Sequence, residues 1–269
     1  MKILIVSGFL GAGKTTFIKR LARNVDQRFA ILENEYGAAG IDGARLGQNR
    51  QGTQKNVWEM TEQCICCIGK KDFAASVLTI ANVVDPEYLI VEPTGVGSLA
   101  RIIENLRQIE YERIQLLSPV TIVDVYSYRR YMAEYPELYQ DQIRSADTII
   151  VSKTEACQAE EKQRIQKFLQ EINSQAKIIT DYASTMTRED YQSLLLGSRY
   201  EKKVQDTQSG EKMPETFSFE NIRMEAPETL WCFLEQIIRG AFGNIIRAKG
   251  QFAAGDQFLQ FDVADHRYS

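Results

Sequence analysis

An α/β fold, with a mostly parallel, doubly wound sheet flanked by helices, is predicted by three features of the sequence. Short apolar segments of strand character alternate with amphipathic helical segments through residue 196, which is the pattern of βαβ units. The first strand is followed by a glycine-rich turn and then by a helix. After residue 216 the alternation gives way to a β-α-β-β pattern. We therefore predict a large domain over 1–197, a polar linker over 198–216 and a small α+β domain over 217–269.

Composition places the chain among ordinary globular proteins and excludes some classes of partner. Of its 269 residues, 44% are hydrophobic and 25% are charged, with a formal net charge of −4 at pH 7. No basic tract favours a nucleic-acid partner, and no apolar run reaches the ~20 residues that a membrane span needs. Met1 leads directly into the first predicted strand. We therefore expect no signal peptide and a cytoplasmic location.

The glycine-rich turn over 8–16 matches the phosphate-binding P-loop pattern G-x-x-x-x-G-K-[ST]. An apolar strand over 2–6 precedes it, and a helix with apolar residues at helical spacing follows it. Glycines let backbone N–H groups close around phosphates, and a helix N-terminus attracts anions. We expect Lys14 to reach the β- and γ-phosphates and the Thr15 hydroxyl to bind Mg²⁺. The predicted nucleotide-binding residues of this turn are Gly11, Ala12, Gly13, Lys14, Thr15 and Thr16.

The second predicted strand, over 29–33, runs into a segment with three glycines and several acidic or amide side chains. In a P-loop protein, a switch ordered by the γ-phosphate and Mg²⁺ is expected in such a loop. We favour Glu35 over Asp42 as the residue nearest the metal. The alternative is a glycine-rich turn with solvated carboxylates.

Glu92 follows the apolar strand over 87–91 and precedes a Pro-Thr-Gly turn. In open parallel sheets ligands gather at the carboxyl ends of strands. We therefore predict that Glu92 is a second magnesium contact and, with Lys14, a catalytic residue. The alternative is a carboxylate that only ends a strand.

The strand over 147–152 leads into Lys153-Thr154-Glu155, where guanine-selective P-loop proteins carry Asn-Lys-x-Asp. A carboxylate there accepts hydrogen bonds from the guanine ring, and the Lys stem packs on the base. Here Ser152 replaces the amide and Glu155 replaces the shorter carboxylate. We predict guanine binding by Ser152, Lys153 and Glu155, with an exposed charged turn as the alternative. Asp124, at the end of another strand, has either a binding or a helix-capping role.

Three of the five cysteines, Cys64, Cys66 and Cys67, fall within four residues. Neither a strand nor a helix can direct such close neighbours to one side, but a loop that wraps one ion can. Thiolates suit Zn²⁺ or another thiophilic metal such as Co²⁺. A redox-reactive pair and buried small hydrophobic residues remain alternatives. Three ligands would leave a fourth position for water, a fourth side chain, a substrate or an acceptor protein, which suits delivery better than a closed structural site.

Hydrophobic periodicity predicts the remaining elements. In the large domain, helices are predicted over 74–84, 99–109, 159–172 and 190–196, and strands over 119–123 and 176–180. The tyrosine-rich run over 126–139 is predicted to be a partly exposed helical region. In the small domain we predict a strand over 217–222, a helix over 227–241 and a hairpin formed by 244–252 and 257–263.

Four segments in a fixed order resemble the CobW-like branch of the P-loop GTPase metallochaperones, the group that also contains the HypB and UreG families. The segments are the turn over 8–16, Asn34-Glu35-Tyr36-Gly37, Cys64-Ile65-Cys66-Cys67 and Glu92-Pro93-Thr94-Gly95. In addition, Ile246-Arg247-Ala248-Lys249-Gly250 is similar to the signature of that family's C-terminal domain. The resemblance covers nearly the whole chain, with a C-terminal domain that is short for the family.

The resemblance implies Mg²⁺-dependent hydrolysis of GTP to GDP and phosphate, coupled to delivery of zinc or cobalt to a client metalloprotein. It implies that the three clustered cysteines bind the metal, that Glu92 serves Mg²⁺ and hydrolysis, and that Glu35 lies in the first switch. Expected partners are GTP or GDP, the client and a second copy of the chain. Two other functions stay open. One is a nucleotide-dependent assembly or reactivation factor for a corrinoid- or metal-dependent enzyme, with a structural metal, and the other is an ATP-using small-molecule kinase.

Overall fold

The computed structural model describes residues 1–27, 29–35, 59–63, 70–197, 199–201, 217, 219, 222–224, 226–254, 257–264 and 267–268. Within these residues the chain forms two sheets with helices packed on them, which confirms the predicted α/β fold. The strands are β1 (Lys2–Gly8), β2 (Phe29–Glu35), β3 (Glu59–Gln63), β4 (Tyr88–Glu92), β5 (Gln115–Leu116), β6 (Val120–Asp124), β7 (Thr148–Ser152), β8 (Lys177–Ile179), β9 (Arg223–Met224), β10 (Arg247–Ala254), β11 (Gln257–Ala264) and β12 (Arg267–Tyr268). The helices are α1 (Lys14–Asn24), α2 (Lys70–Val83), α3 (Leu99–Arg107), α4 (Tyr128–Glu134), α5 (Pro136–Arg144), α6 (Ala159–Ile172), α7 (Tyr182–Thr185), α8 (Arg188–Leu196) and α9 (Pro227–Ile238).

The large sheet is parallel, in the order β3-β2-β4-β1-β6-β7-β8, and β5 also pairs with β1. Strand β1 therefore lies in the middle, with β4 on one side and β6 on the other. The carboxyl ends of these central strands form the edge at which open α/β sheets bind ligands. The P-loop turn, Glu92 and Asp124 all lie at this edge, because each directly follows or ends one of the three strands.

Helices cover both faces of the large sheet, and alternate residues of β1 pack against the helices of each face. Leu4 and Val6 belong to a buried cluster that includes Phe17 of α1 and Leu195 of α8. Their neighbours Ile3 and Ile5 belong to a second cluster, formed with α2 and α3. Successive strand residues point to opposite faces of the sheet. Because helices cover both faces, both pairs are buried. A strand enclosed in this way is expected to carry a continuous apolar run, which in β1 extends from Ile3 to Val6.

The small sheet has the order β12-β11-β10-β9, and β10 and β11 form the predicted hairpin. Its core lies on one face, where Leu234 and Ile237 of α9 cluster with Phe261 and Val263 of β11. In the strand predicted over 217–222, the described residues Phe217, Phe219 and Ile222 lie outside any strand. The first described strand of the small sheet is β9.

Most predicted elements of the large domain match the observed ones to within a few residues, and the tyrosine-rich region over 126–139 forms α4 and α5, whereas β3, β5 and α7 were missed. Strand β3 has the mostly polar sequence Glu-Met-Thr-Glu-Gln, which gives no apolar strand signal, and it lies at the edge of the sheet among the described strands. The predicted linker, 198–216, lies mainly outside the described residues, so the division into domains stays a prediction. Among the described residues, every helix is too short or too polar to cross a membrane.

Candidate nucleotide-binding site

The turn between β1 and α1 has the backbone of an anion-binding loop. Gly8, Gly11 and Gly13 have φ angles of 143°, 71° and 97°, in the region that favours glycine. Gly13 is the N-cap of α1, so the helix begins at Lys14 and its first N–H groups are directed toward the loop. The local sequence therefore places a helix N-terminus and a glycine-rich backbone around one point.

Lys14 lies across this loop. Its side chain is buried, with 6% of the residue exposed, and Nζ donates hydrogen bonds to the carbonyl oxygens of Gly8 at 3.0 Å and Phe9 at 3.4 Å. A buried ammonium requires such acceptors. The contacts keep the positive charge within the loop, where a phosphate group would bind.

Thr15 and Glu92 meet at the start of α1. The hydroxyl of Thr15 donates to the two carboxylate oxygens of Glu92, at 3.2 and 3.3 Å. Hydroxyl and carboxylate oxygens are hard ligands of the kind that Mg²⁺ prefers. This pair of donors beside a phosphate-binding loop therefore fits a magnesium ion.

The turn after Glu92 lies directly against the phosphate loop. A Cβ atom added to Gly95 would lie only 2.5 Å from the backbone nitrogen of Leu10, so a side chain at this position would separate the two segments. Gln142 of α5 further fixes the turn, because its Nε2 donates to the carbonyl oxygens of Gly95 and Gly97, both at 3.0 Å. The Glu-Pro-Thr-Gly sequence thus places a carboxylate at a fixed position beside the loop.

Sequence analysis missed a second buried carboxylate, Glu33. It lies on β2, is 2% exposed and is paired in register with Glu92 on the adjacent strand β4. The signal was present in the sequence, since each glutamate directly follows an apolar strand segment. Glu35, predicted as the first-switch residue, is the last residue of β2 and pairs with Gln63 of β3. The structure describes only its backbone, so its role stays a prediction.

On the opposite side of the loop, β7 ends in the predicted base-binding segment. Ser152 is buried, and its hydroxyl donates to the carbonyl oxygen of Ala12 at 2.6 Å. Lys153 has φ = 60°, and its Nζ donates to Oδ2 of Asp124 at 2.5 Å. The other oxygen of Asp124 accepts from the backbone N–H of Tyr126 at 2.8 Å. Asp124, whose role the sequence left open, therefore orients Lys153. Glu155 is exposed.

One cavity of about 380 Å³ is lined by the phosphate loop, by Glu92 on one side of it and by Lys153 on the other. Seven of the predicted nucleotide-site residues line it, together with Lys19, whereas Ala12, Ser152 and Glu155 are not among the lining residues. The small sheet supplies the rest of the wall, which sequence analysis did not anticipate. The lining residues are Gly11, Gly13, Lys14, Thr15, Thr16, Lys19, Glu92 and Lys153 from the large domain, and Arg247, Asp262, Ala264, Arg267 and Tyr268 from the small sheet.

The predicted metal ligands Cys64, Cys66 and Cys67 lie outside the described residues. In the part of the chain that the structure describes, no group of three or more His, Cys, Asp or Glu side chains is arranged to bind a metal ion. The two described cysteines, Cys157 and Cys232, are free thiols. Metal binding by Cys64, Cys66 and Cys67 therefore stays a prediction.

Comparison with known proteins supports the resemblance. The family model described as "CobW/HypB/UreG, nucleotide-binding domain" matches residues 2–180. The zinc chaperone YeiR of Escherichia coli (strain K12) is 30% identical over 178 residues, covering 65% of this chain and 53% of that protein. The zinc chaperone YjiA of the same organism is 27% identical over 186 residues, covering 66% of this chain and 56% of that protein. The chain thus spans about half the length of these curated relatives.

A solved structure gives the same result at the level of the fold. The crystal structure of Zn(II)-bound YjiA GTPase from E. coli aligns with a TM-score of 0.55 and 19% identity, covering 100% of this chain and 87% of that chain. The family match extends over more than half of the sequence and includes the P-loop, the Thr15–Glu92 pair and the predicted base-binding segment. This protein therefore belongs to the CobW/HypB/UreG family of P-loop GTPases.

Proposed function

We propose that this chain hydrolyses GTP to GDP and phosphate with Mg²⁺ and couples the reaction to delivery of a transition metal, zinc or cobalt, to a client metalloprotein in the cytoplasm. The observation that carries the hydrolytic part is the contact between Thr15 and Glu92 in the same cavity as Lys14. The family match and the relatives named zinc chaperones support the delivery part.

Different residues of the cavity would serve different parts of the phosphoryl-transfer reaction. The Lys14 ammonium and the N–H groups at the start of α1 would stabilise the negative charge that develops on the transferred phosphoryl group. Thr15 and Glu92 would hold Mg²⁺, which neutralises charge on the β- and γ-phosphates when bound. Water is the nucleophile, and the remaining catalytic contribution is its placement in line with the leaving oxygen.

Base recognition would fall to the segment after β7. Asp124 orients the Lys153 ammonium, and the stem of that side chain lies at the cavity wall, where it can pack on a guanine ring. The Ser152 hydroxyl instead ties this segment to Ala12 of the phosphate loop. We propose that Glu155 accepts from the guanine N–H groups, which requires a rotation of its exposed side chain toward the base.

The metal would be bound as cargo by the thiolates of Cys64, Cys66 and Cys67. The cysteine-rich segment lies in the sequence between β3 and α2, and β3 pairs with β2, the strand that carries Glu33 and Glu35. A change at the magnesium side of the cavity could therefore reach the thiolates through two adjacent strands. Thiophilic and hard ions would then bind at separate but coupled positions.

Metal affinity measured in each nucleotide state tests this function. Delivery requires that Zn²⁺ affinity differs between the GTP-bound and GDP-bound forms, because coupling between two ligands is reciprocal. Cys66→Ser should lower Zn²⁺ affinity, whereas Cys232→Ser, at an exposed free cysteine, is the matched control and should not. Equal Zn²⁺ affinity in all nucleotide states would support the assembly factor with a structural metal. ATP preference with a phosphorylated product would support the kinase.

A further inference from the structure

A row of three residues on the small sheet faces the phosphate loop. Arg247 of β10 pairs in register with Ala264 of β11, and Ala264 pairs with Arg267 of β12. Residues paired across neighbouring strands have their side chains on the same face of the sheet. All three line the cavity, so this row, which we call the Arg-Ala-Arg row, is directed at the nucleotide site.

Ala264 brings the row into contact with the loop. A Cβ atom added to Gly11 would lie 2.7 Å from Cβ of Ala264, closer than two carbon atoms can pack. The glycine of the loop and the alanine of the strand are therefore matched in size at the point where the two sheets meet. The two arginines flank this point on either side.

Arg247 is held in place by a bidentate ion pair. Its Nη2 and Nε donate to the two carboxylate oxygens of Asp262, at 3.0 and 3.3 Å, and both side chains are about four-fifths buried. A guanidinium group has five N–H donors in a fixed plane. The ion pair uses only one edge of that plane and so orients the group without saturating it.

Arg267 is positioned by an aromatic ring. Its guanidinium carbon lies 4.8 Å from the ring centroid of Tyr126, within the range of a cation–π contact. Tyr126 follows Asp124, the residue that orients Lys153. A guanidinium stacked on a ring keeps the N–H groups at its edge available for anions.

We propose that Arg247 and Arg267 donate hydrogen bonds to phosphate oxygens of the nucleotide bound by the P-loop. The small sheet would thereby complete the anion site from within the same chain. Among the lining residues, five cationic side chains face two carboxylates, an excess that suits a nucleoside triphosphate. This inference rests on the proposed function, and it identifies which part of the nucleotide the small sheet recognises.

The experiment uses the full chain and compares GTP with guanosine, which lacks phosphates. Arg247→Ala and Arg267→Ala should each weaken GTP binding about tenfold, the scale of a charge-assisted hydrogen bond, and change guanosine binding less than twofold. Each should also flatten the dependence of GTP affinity on salt concentration, because one cation is lost. Arg239→Ala is the matched control, since the Arg239 side chain is 78% exposed and pairs with Glu235 of α9, the helix that ends just before it.

Equal losses for GTP and guanosine, or unchanged GTP affinity, would overturn the proposal in favour of a packing role. If an alanine variant unfolds, as measured by thermal melting, Arg267→Lys retains the charge and should keep GTP affinity closer to wild type than Arg267→Met, which has a similar length. Equal affinity of these two folded variants would also overturn it. A wild-type chain that binds no GTP would contradict the proposed function itself, a result distinct from these.

Discussion

The hydroxyl of Thr15 and the carboxylate of Glu92 lie in hydrogen-bond contact although 77 residues separate them in sequence. Thr15 lies in the first turn of α1, and Glu92 is the last residue of β4. The contact therefore joins the segment that follows the central strand β1 to the end of the neighbouring strand β4. It brings a hydroxyl and a carboxylate, both oxygen ligands of the kind that Mg²⁺ prefers, together beside the phosphate loop.

Replacement of Thr15 tests this contact. Thr15→Ala removes the hydroxyl oxygen, so we expect hydrolysis of GTP to fall about 100-fold, as for loss of one group that stabilises transition-state charge. The Mg²⁺ concentration for half-maximal rate should rise as well. Phosphate release followed across a magnesium titration measures both. Thr15→Ser keeps the oxygen and is the control; if it loses as much activity as the alanine variant, the hydroxyl is not the group responsible.

The contact between Gly11 and Ala264 predicts a size-dependent coupling. Gly11→Ala should weaken nucleotide binding for two reasons: its φ of 71° costs a non-glycine residue about 1 kcal/mol, and its methyl group would overlap that of Ala264. Ala264→Gly removes only the overlap, so the double variant should recover part of the loss. A double-mutant cycle on GTP affinity should give a coupling of about 1 kcal/mol. Simple additivity of the two changes would show that the small sheet does not contact the loop.

Base preference should depend on Glu155 more than on Lys153. We expect Glu155→Ala to lower GTP affinity while leaving ATP affinity nearly unchanged, because only guanine offers the two N–H donors that a carboxylate can bind. Lys153→Ala removes a side chain from the cavity wall and should weaken both nucleotides. Competition binding with the two triphosphates distinguishes these patterns. Identical losses of GTP and ATP in the Glu155 variant would mean that guanine is recognised elsewhere.

The ion pair between Lys162 and Asp181 makes part of the stability pH-dependent. The Lys162 ammonium donates to Oδ1 of Asp181 at 2.6 Å and holds the pKa of that carboxyl below its ordinary value of 3.8. A depressed pKa contributes stability above pH 3.8 that is lost as the pH falls through the folded-state value. Both side chains are about one-quarter exposed, which limits the contribution to roughly 1 kcal/mol or less.

Lys162→Met should therefore lower the free energy of unfolding at pH 6 but have a smaller effect near pH 3. Denaturant unfolding at the two pH values measures the difference. Arg164→Met serves as the control, since Arg164 lies on the same helix and pairs with Glu161 at 64% exposure of the arginine side chain, where solvent screens the interaction. An effect of Lys162→Met that is the same at both pH values would show that packing of the stem, rather than charge, is responsible.

The phosphate loop could be predicted from the sequence because its pattern fixes backbone geometry locally. Three glycines at set spacing and a lysine at the helix start leave few other conformations, and Gly13 and Lys14 lie where the pattern requires. The same holds for Glu92 and Lys153, which directly end or follow buried strands. Their convergence follows from the parallel sheet.

Features that depend on which strands become neighbours could not be predicted in this way. Glu33 pairs with Glu92 only because β2 lies next to β4, and the two strands are more than fifty residues apart. Likewise β12 has only two residues, too few to show a hydrophobic period. The arginine it carries reaches the cavity through the packing of two sheets, for which no local pattern exists.

One cavity is lined by residues that lie far apart in the sequence, among them Gly11 and Arg267. During translation the phosphate loop emerges first, and its partner strands β4 and β6 follow only after Tyr88 and Val120 have been made. Contacts this distant in sequence form late because loop closure precedes them. The loop and its two neighbouring strands are therefore complete before Arg247 and Arg267 have been synthesised, and a nucleotide bound at that stage would lack the contacts proposed for the two arginines.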